Sequence, residues 1–114
     1  MLFILFVKAS KAGNHPSEAL EEAMSQYNDA LVTAGIRIMA KGLYPSDNGL
    51  RISFPNPGEA PVVTNGPFDS DDLIAGFILI DVKSREEAVR WAMRMPDPLG
   101  HGEGEIELRQ IFEG

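Results

Sequence analysis

The chain has 114 residues, of which 44% are hydrophobic, and its formal net charge of −7 comes from seventeen acidic and ten basic side chains. Since domains average roughly 150 residues, we expect one domain over residues 1–114. The lack of cysteine excludes a disulfide framework, a thiol nucleophile and a thiolate metal site. The acidic balance argues against a nucleic-acid partner, because nucleic-acid-binding domains present basic patches.

The first predicted element is a strand over residues 2–8 that is apolar on both faces. The chain opens with seven apolar residues, MLFILFV, a run too short to span a bilayer, and no cleavage site follows it. We therefore expect a buried strand and a cytoplasmic protein without a membrane partner. A helix follows from Ser17 to Ala34, and Gly35 is placed to end it. Its predicted apolar face consists of Leu20, Met24, Tyr27, Leu31 and Ala34.

The middle of the chain predicts an edge strand and an inserted hairpin. Residues 36–43 alternate apolar side chains with Arg37 and Lys41, which indicates a half-buried strand. The next stretch is rich in Pro, Gly and Asn and contains two short extended pieces, with the turn sequence PNPG between them. We expect a hairpin near residues 50–64.

The C-terminal half predicts a strand, a helix and a last strand. Residues 73–82 are again apolar on both faces. Ser84 and Glu87 form a capping box that begins a helix, and two prolines end that helix. The last strand, 105–112, separates two sets of side chains. The apolar set is Ile106, Leu108 and Phe112; the charged set is Glu105, Glu107 and Arg109.

The order β-α-β-β-α-β predicts an α+β ferredoxin-like sandwich with an antiparallel sheet and central strands 2–8 and 73–82. Two helices cover only one face of such a sheet, yet both central strands are apolar on both sides. The hairpin could cover part of the second face. A second copy packed sheet to sheet covers it better, so we predict a homodimer.

Strand directions in this topology bring loops 9–16, 65–72 and 96–104 to one end of the sheet. His15 and His101 lie in these loops and are candidate catalytic bases, since histidine has a reference pKa of about 6.5. A surface or capping role for His15 stays open, as does a mobile or ligand-contacting role for His101. No histidine spacing matches a metal site, so no metal is predicted.

The charged side of the last strand is the third candidate. Glu107 is a possible catalytic carboxylate. Arg109 either forms a structural ion pair or binds a ligand carboxylate or phosphate through two hydrogen bonds. Because no basic residue occurs between Lys11 and Arg37, an anionic ligand would depend on Arg109 or on helix N–H groups. No nucleotide fingerprint or glycine-rich phosphate loop is present, and no cofactor is predicted.

Three segments carry a family resemblance: NGPF at 65–68, LIAGFILIDVKSREEAVRWAMRMPDP at 73–98 and GEIELRQIFE at 104–113. They resemble the YCII-related, DGPF-domain family. The resemblance implies a ferredoxin-like fold, a dimeric α/β-barrel-like assembly and a cleft of largely unassigned function. It also implies a set of ligand-binding residues: Asn65, Gly66, Pro67, Phe68 and Asp69.

Two departures from the family pattern bear on function. Asn65 stands where the motif has aspartate, which removes a general acid or base. The His–Asp pair of the broader superfamily has no secure match. Two functions therefore stay open: an enzyme acting on a small polar or anionic metabolite, or a non-catalytic ligand-binding or regulatory module. A cavity holding His15 or His101 beside a carboxylate would favour the enzyme.

Overall fold

The computed structural model describes residues 1–9, 17–69 and 73–114. Its strands and helices follow the predicted order along the chain. They are β1 (Leu2–Lys8), α1 (Glu18–Thr33), β2 (Arg37–Gly42), β3 (Leu50–Ser53), β4 (Val62–Asn65), β5 (Ile74–Asp81), α2 (Arg85–Arg94) and β6 (Ile106–Gln110). Neither helix in the described part combines the length and hydropathy that a membrane span requires.

The main sheet has four antiparallel strands in the order β2-β5-β1-β6. The two strands that are apolar on both faces, β1 and β5, are central, as the sequence predicted. Strands β3 and β4 form a separate antiparallel pair, which confirms the inserted hairpin. The protein is therefore α+β, and its strand order agrees with a ferredoxin-like arrangement.

Local sequence determines the helix ends. Ser17 Oγ accepts a hydrogen bond from the Leu20 N–H at 3.1 Å and caps α1, and Gly35 follows the helix with a φ of 74°. Ser84 Oγ accepts from the Glu87 N–H at 3.1 Å and caps α2.

The cap of α2 differs from the predicted capping box in one bond. The Glu87 carboxylate accepts from the backbone N–H of Lys83, at 2.9 Å, and not from that of the cap residue Ser84. The bond therefore reaches one residue further back along the chain and fixes the connection between β5 and α2.

Both helices pack on one face of the sheet. Phe3 and Leu5 of β1 are fully buried against this helix layer, and the buried side chains of β5 join them in one core cluster. The Tyr27 hydroxyl of α1 donates a 2.7 Å hydrogen bond to the Trp91 carbonyl of α2, and the two rings meet edge to face. Burial raises the pKa of Tyr27 to about 12.

The structure corrects the sequence analysis at the sheet edges. β6 ends at Gln110, so Phe112 does not belong to its apolar face, and this side chain is 91% exposed. In β2 a register shift between Arg37 and Met39 interrupts the predicted alternation, and five of the six residues of this edge strand are exposed. Ala34 is an exposed C-cap residue and does not lie on the buried face of α1.

The second face of the sheet, here called the open face, carries alternate side chains of the central strands. Phe6 pairs with Phe77 and Ile4 with Leu79, so apolar side chains from β1 and β5 adjoin across the ladder. These side chains are only partly buried, because both helices lie on the other side. The apolar residues of the open face are Leu2, Ile4, Phe6, Phe77 and Leu79.

Candidate functional site

The predicted meeting of loops at one end of the sheet is visible in the backbone hydrogen bonds. The Lys8 N–H donates to the Glu105 carbonyl at 3.1 Å, and the Ala9 N–H donates to the Leu73 carbonyl at 3.0 Å. The chain segments that lead into β5 and β6 therefore flank the end of β1. Residues 10–16 and 70–72 of the predicted loops lie outside the described residues.

A charged cluster lies on the open face at this end. Glu107 Oε2 accepts a hydrogen bond from Arg109 at 3.0 Å, and Glu107 Oε1 lies 3.6 Å from Lys8 Nζ. In the ladder Glu107 is opposite Phe6, and Arg109 is opposite Ile4. The charged cluster, Lys8, Glu107 and Arg109, therefore borders the apolar side chains of the open face.

The electrostatics of the charged cluster favour anion binding over proton transfer. The hydrogen bond from Arg109 and the charge of Lys8 hold the pKa of Glu107 below its usual range. A carboxylate with a lowered pKa is a weaker base near neutral pH. Two cations lie beside one carboxylate, and the Arg109 side chain is 67% exposed. A guanidinium has five N–H donors, so Arg109 can bond to Glu107 and to a ligand together.

The NGPF motif anchors the inserted hairpin. The Gly66 N–H donates to the Gly49 carbonyl at 2.8 Å, and the Phe68 N–H donates to Ser46 Oγ at 3.1 Å. The Arg51 guanidinium lies over the Phe68 ring, 4.1 Å from its centre. A Cβ added to Gly66 would overlap the Ser46 carbonyl oxygen, so only glycine fits there.

The other residues of this segment face solvent. Asn65 is the last residue of β4, and Asn65, Pro67 and Asp69 are exposed. The Gly66–Pro67 peptide bond is cis. The motif residues that the resemblance implied for ligand binding therefore divide into a structural pair, Gly66 and Phe68, and three exposed positions.

Asp97 organises the loop that contains His101. Its Oδ1 accepts from the Leu99 N–H at 3.0 Å, and its Oδ2 accepts from the Gly102 N–H at 2.6 Å. The bond from Leu99, the other backbone N–H groups and the charge of His101 lower the pKa of Asp97. A Cβ at Gly104 would overlap the Asp97 carboxylate, so the loop closes around this side chain.

Two of the three predicted catalytic residues, His101 and Glu107, lie in the described part of the chain. His101 is exposed at the surface of the Asp97 loop, and in the described part of the chain no hydrogen bond joins it to Glu107. His15 lies outside the described residues. No group of three His, Asp or Glu side chains within residues 1–9, 17–69 and 73–114 is placed to hold a metal ion.

Sequence reasoning missed the roles of Lys8 and Asp97. Lys8 could have been paired with Glu107 from strand register, because the ends of β1 and β6 adjoin in an antiparallel ladder. Asp97 could have been recognised as a turn former, because aspartate accepts hydrogen bonds from N–H groups a few residues further on.

A cleft of about 360 Å³ lies between α1 and the sheet. Its floor lacks side chains where Gly42 pairs with Gly76, and a Cβ at Gly76 would come within 2.7 Å of the Lys41 carbonyl oxygen. Met24 and Asn28 of α1 form one wall. The described lining contains no histidine or carboxylate, and its charged residues are Arg37 and Lys41, so the cleft offers cationic and amide contacts without a carboxylate or imidazole base.

These features define a small α+β protein with an antiparallel sheet, helices on one face and a charged cluster on the other. The sequence matches the YCII-related domain over residues 1–113. The chain therefore belongs to the YCII-related family, which confirms the resemblance of its motifs. No curated protein matches the chain.

Proposed function

We propose that this protein is a homodimeric module that binds a small anionic metabolite and does not act as an acid–base enzyme. The observation that carries the proposal is the charged cluster, in which Glu107 orients Arg109 beside an apolar and uncovered sheet face. The cluster supplies cationic donors in a chain whose overall charge is strongly negative.

The dimer is supported by the chemistry of the open face. Its apolar side chains are only partly buried, and burying apolar surface yields about 25 cal/mol per Å². Two copies related by a two-fold axis would cover each other's open face with the same patch. This arrangement is the barrel-like assembly that the family resemblance implied, and it places each charged cluster beside the interface.

The ligand chemistry follows from Arg109 and its neighbours. A guanidinium binds a carboxylate or phosphate through two parallel hydrogen bonds, and Lys8 adds a second positive charge. Phe6, opposite Glu107 in the ladder, offers an apolar contact. The expected ligand is therefore a small organic acid or phosphate ester with an apolar part.

The proposal of a binding module depends on the acid–base groups that the described residues contain. General acid–base catalysis needs a titrating group within hydrogen-bond reach of the reacting atoms. His101 is exposed, and the Asp97 carboxylate of the same loop accepts two backbone hydrogen bonds. Glu107 is held ionised by its two cationic neighbours.

A combined assembly and ligand screen tests this function. Size-exclusion chromatography with light scattering at micromolar concentration should give a dimer mass. A thermal-shift screen of small carboxylates and phosphate esters should find a ligand that stabilises the fold. At one hundred times its dissociation constant, such a ligand adds about 2.7 kcal/mol to the free energy of unfolding.

Matched variants locate the site. Arg109→Gln should abolish the ligand-induced shift, because it removes the guanidinium. Arg90→Gln removes the same charge from the exposed surface of α2 and should leave the shift intact. A monomer mass would overturn the dimer, and an unchanged shift in Arg109→Gln would overturn the proposed binding site.

A further inference from the structure

The inserted hairpin, residues 50–65 and here called the arm, has one apolar and one polar face. In its register Ile52 pairs with Val63, and Leu50 lies on the same face two residues earlier. Arg51 pairs with Thr64 on the opposite face. The three apolar side chains are between 53% and 56% exposed, so this apolar face has no cover within the described chain.

The arm joins the rest of the protein at its base. The Gly66 N–H donates to the Gly49 carbonyl, and the Phe68 N–H donates to Ser46 Oγ, both in the segment that precedes β3. Beyond this base, neither arm strand makes extensive contact with another described helix or strand. Since a lone two-stranded hairpin is at best marginally stable in water, the arm needs a surface to pack against.

The total solvent-exposed area of the chain indicates what the arm packs against. The chain exposes 7905 Å², whereas a compact monomer of its mass exposes roughly 6,200 Å². Its radius of gyration is 16.2 Å, against about 13 Å for a compact domain of this length. The surplus surface is about twice the 800 Å² that each partner buries in a standard protein–protein interface.

We propose that the arm packs its Leu50, Ile52 and Val63 face on a second copy of this chain, and that two copies exchange arms symmetrically. The inference rests on the homodimer proposed above and adds a second contact to it. Two-fold symmetry lets each copy give and receive one arm, so both apolar arm faces are covered in one closed assembly.

The receiving surface is the edge strand β2. Met39 pairs with Leu79 of the open face, so the β2 edge continues the apolar surface of the proposed sheet-to-sheet interface. Ile38, Met39 and Leu43 are each between 43% and 51% exposed. An arm from the second copy lying along this edge would cover these side chains and its own apolar face together.

A double variant tests the arm contact. Ile52→Thr with Val63→Thr keeps β-branched side chains at paired positions but replaces apolar surface with hydroxyl groups. It should raise the dimer dissociation constant by more than about tenfold, measured by light scattering over a dilution series. Val62→Thr makes the same change on the opposite arm face and should leave the constant unchanged.

Hydrogen exchange supplies a second readout that does not depend on a substitution. In the unmodified protein, the arm amides should become more protected as protein concentration rises through the dissociation constant. Well below the dissociation constant, where both proteins are monomeric, the amides of β1 should show the same protection in the double variant as in the unmodified protein, which shows that the variant is folded.

The outcomes separate the two proposals. A monomer at all concentrations overturns both the homodimer and the arm contact. A dimer whose dissociation constant is the same in the double variant overturns the arm contact and leaves the sheet-to-sheet homodimer standing. Arm amides that stay unprotected in the dimer likewise overturn the arm contact.

Discussion

The two faces of the central sheet use the same strands in opposite ways. On β1, Phe3 and Leu5 point to the helices and are fully buried, while Ile4 and Phe6 alternate with them and stay partly exposed. All four side chains are large and apolar. The difference therefore comes from what packs on each face and not from the strand itself. A strand that is apolar on both faces indicates that both faces pack against something, and the helices of the chain pack on only one of them.

The largest expected effect on the free energy of unfolding comes from replacing a phenylalanine by alanine, in one variant on each face of the sheet. Phe3→Ala leaves a cavity in the core and should lower the free energy of unfolding by about 3–5 kcal/mol at any protein concentration. Phe6→Ala removes a side chain from the open face. Its effect should be smaller in dilute solution and should grow with protein concentration, since the proposed dimer then forms in the unmodified protein.

Urea unfolding at two protein concentrations, about a hundredfold apart, measures both effects. Phe3→Ala serves as the internal reference, because its side chain lies on the helix-covered face. If Phe6→Ala shows the same loss of stability at both concentrations, the open face is not an interface. The two faces would then differ only in how tightly side chains pack within one chain.

A medium effect is expected at the bond that joins the two helices. Tyr27→Phe removes the hydroxyl that donates to the Trp91 carbonyl and should lower the free energy of unfolding by about 1 kcal/mol. Tyr44→Phe changes a ring that is 83% exposed and should have almost no effect. An equal loss in both variants would contradict a special role for the bond between the helices.

Stability at alkaline pH tests the role of the same Tyr27 hydroxyl. The pKa of Tyr27 is about 12 in the folded protein and 10.0 when unperturbed. Between pH 10 and 12 the unfolded chain releases this phenolic proton while the folded chain retains it, so stability falls as pH rises through this window. Tyr27→Phe should remove that part of the pH dependence, as followed by unfolding measurements at each pH.

Features of the fold that depend on neighbouring residues could be predicted from the sequence. Ser17 and Ser84 cap the helices because a serine hydroxyl satisfies a free N–H of the first turn. Gly35 follows α1 because glycine adopts a positive φ without strain. The run of apolar residues in β1 and β5 identified the central strands before any pairing was known.

Features that depend on distant residues could not be predicted in the same way. The alternation of the last strand continues to Phe112, but pairing with β1 ends at Gln110, and no local signal marks this end. Exposure of His101 follows from a loop that closes around Asp97, which requires several hydrogen bonds at once. The charged cluster needed the register of two strands from opposite ends of the chain.

The smallest expected effect is a loss of stability at acidic pH that follows from the lowered pKa of Glu107, on the open face. Its pKa lies below the usual value of 4.5, because Arg109 donates a hydrogen bond to it and Lys8 adds positive charge. The folded state therefore binds its proton less readily than the unfolded state. The resulting stabilisation is present above about pH 4.5 and is lost as pH falls through the lowered pKa.

Carbon-13 NMR titration of the Glu107 carboxyl measures this shift directly. Arg109→Gln should move the titration midpoint up towards 4.5, because it removes the first cause of the shift. Arg90→Gln removes one positive charge from α2, away from the charged cluster, and should leave the midpoint in place. A midpoint unaffected by Arg109→Gln would mean that the ion pair is not formed in solution, and Arg109 would then lack the orientation that anion binding beside the open face requires.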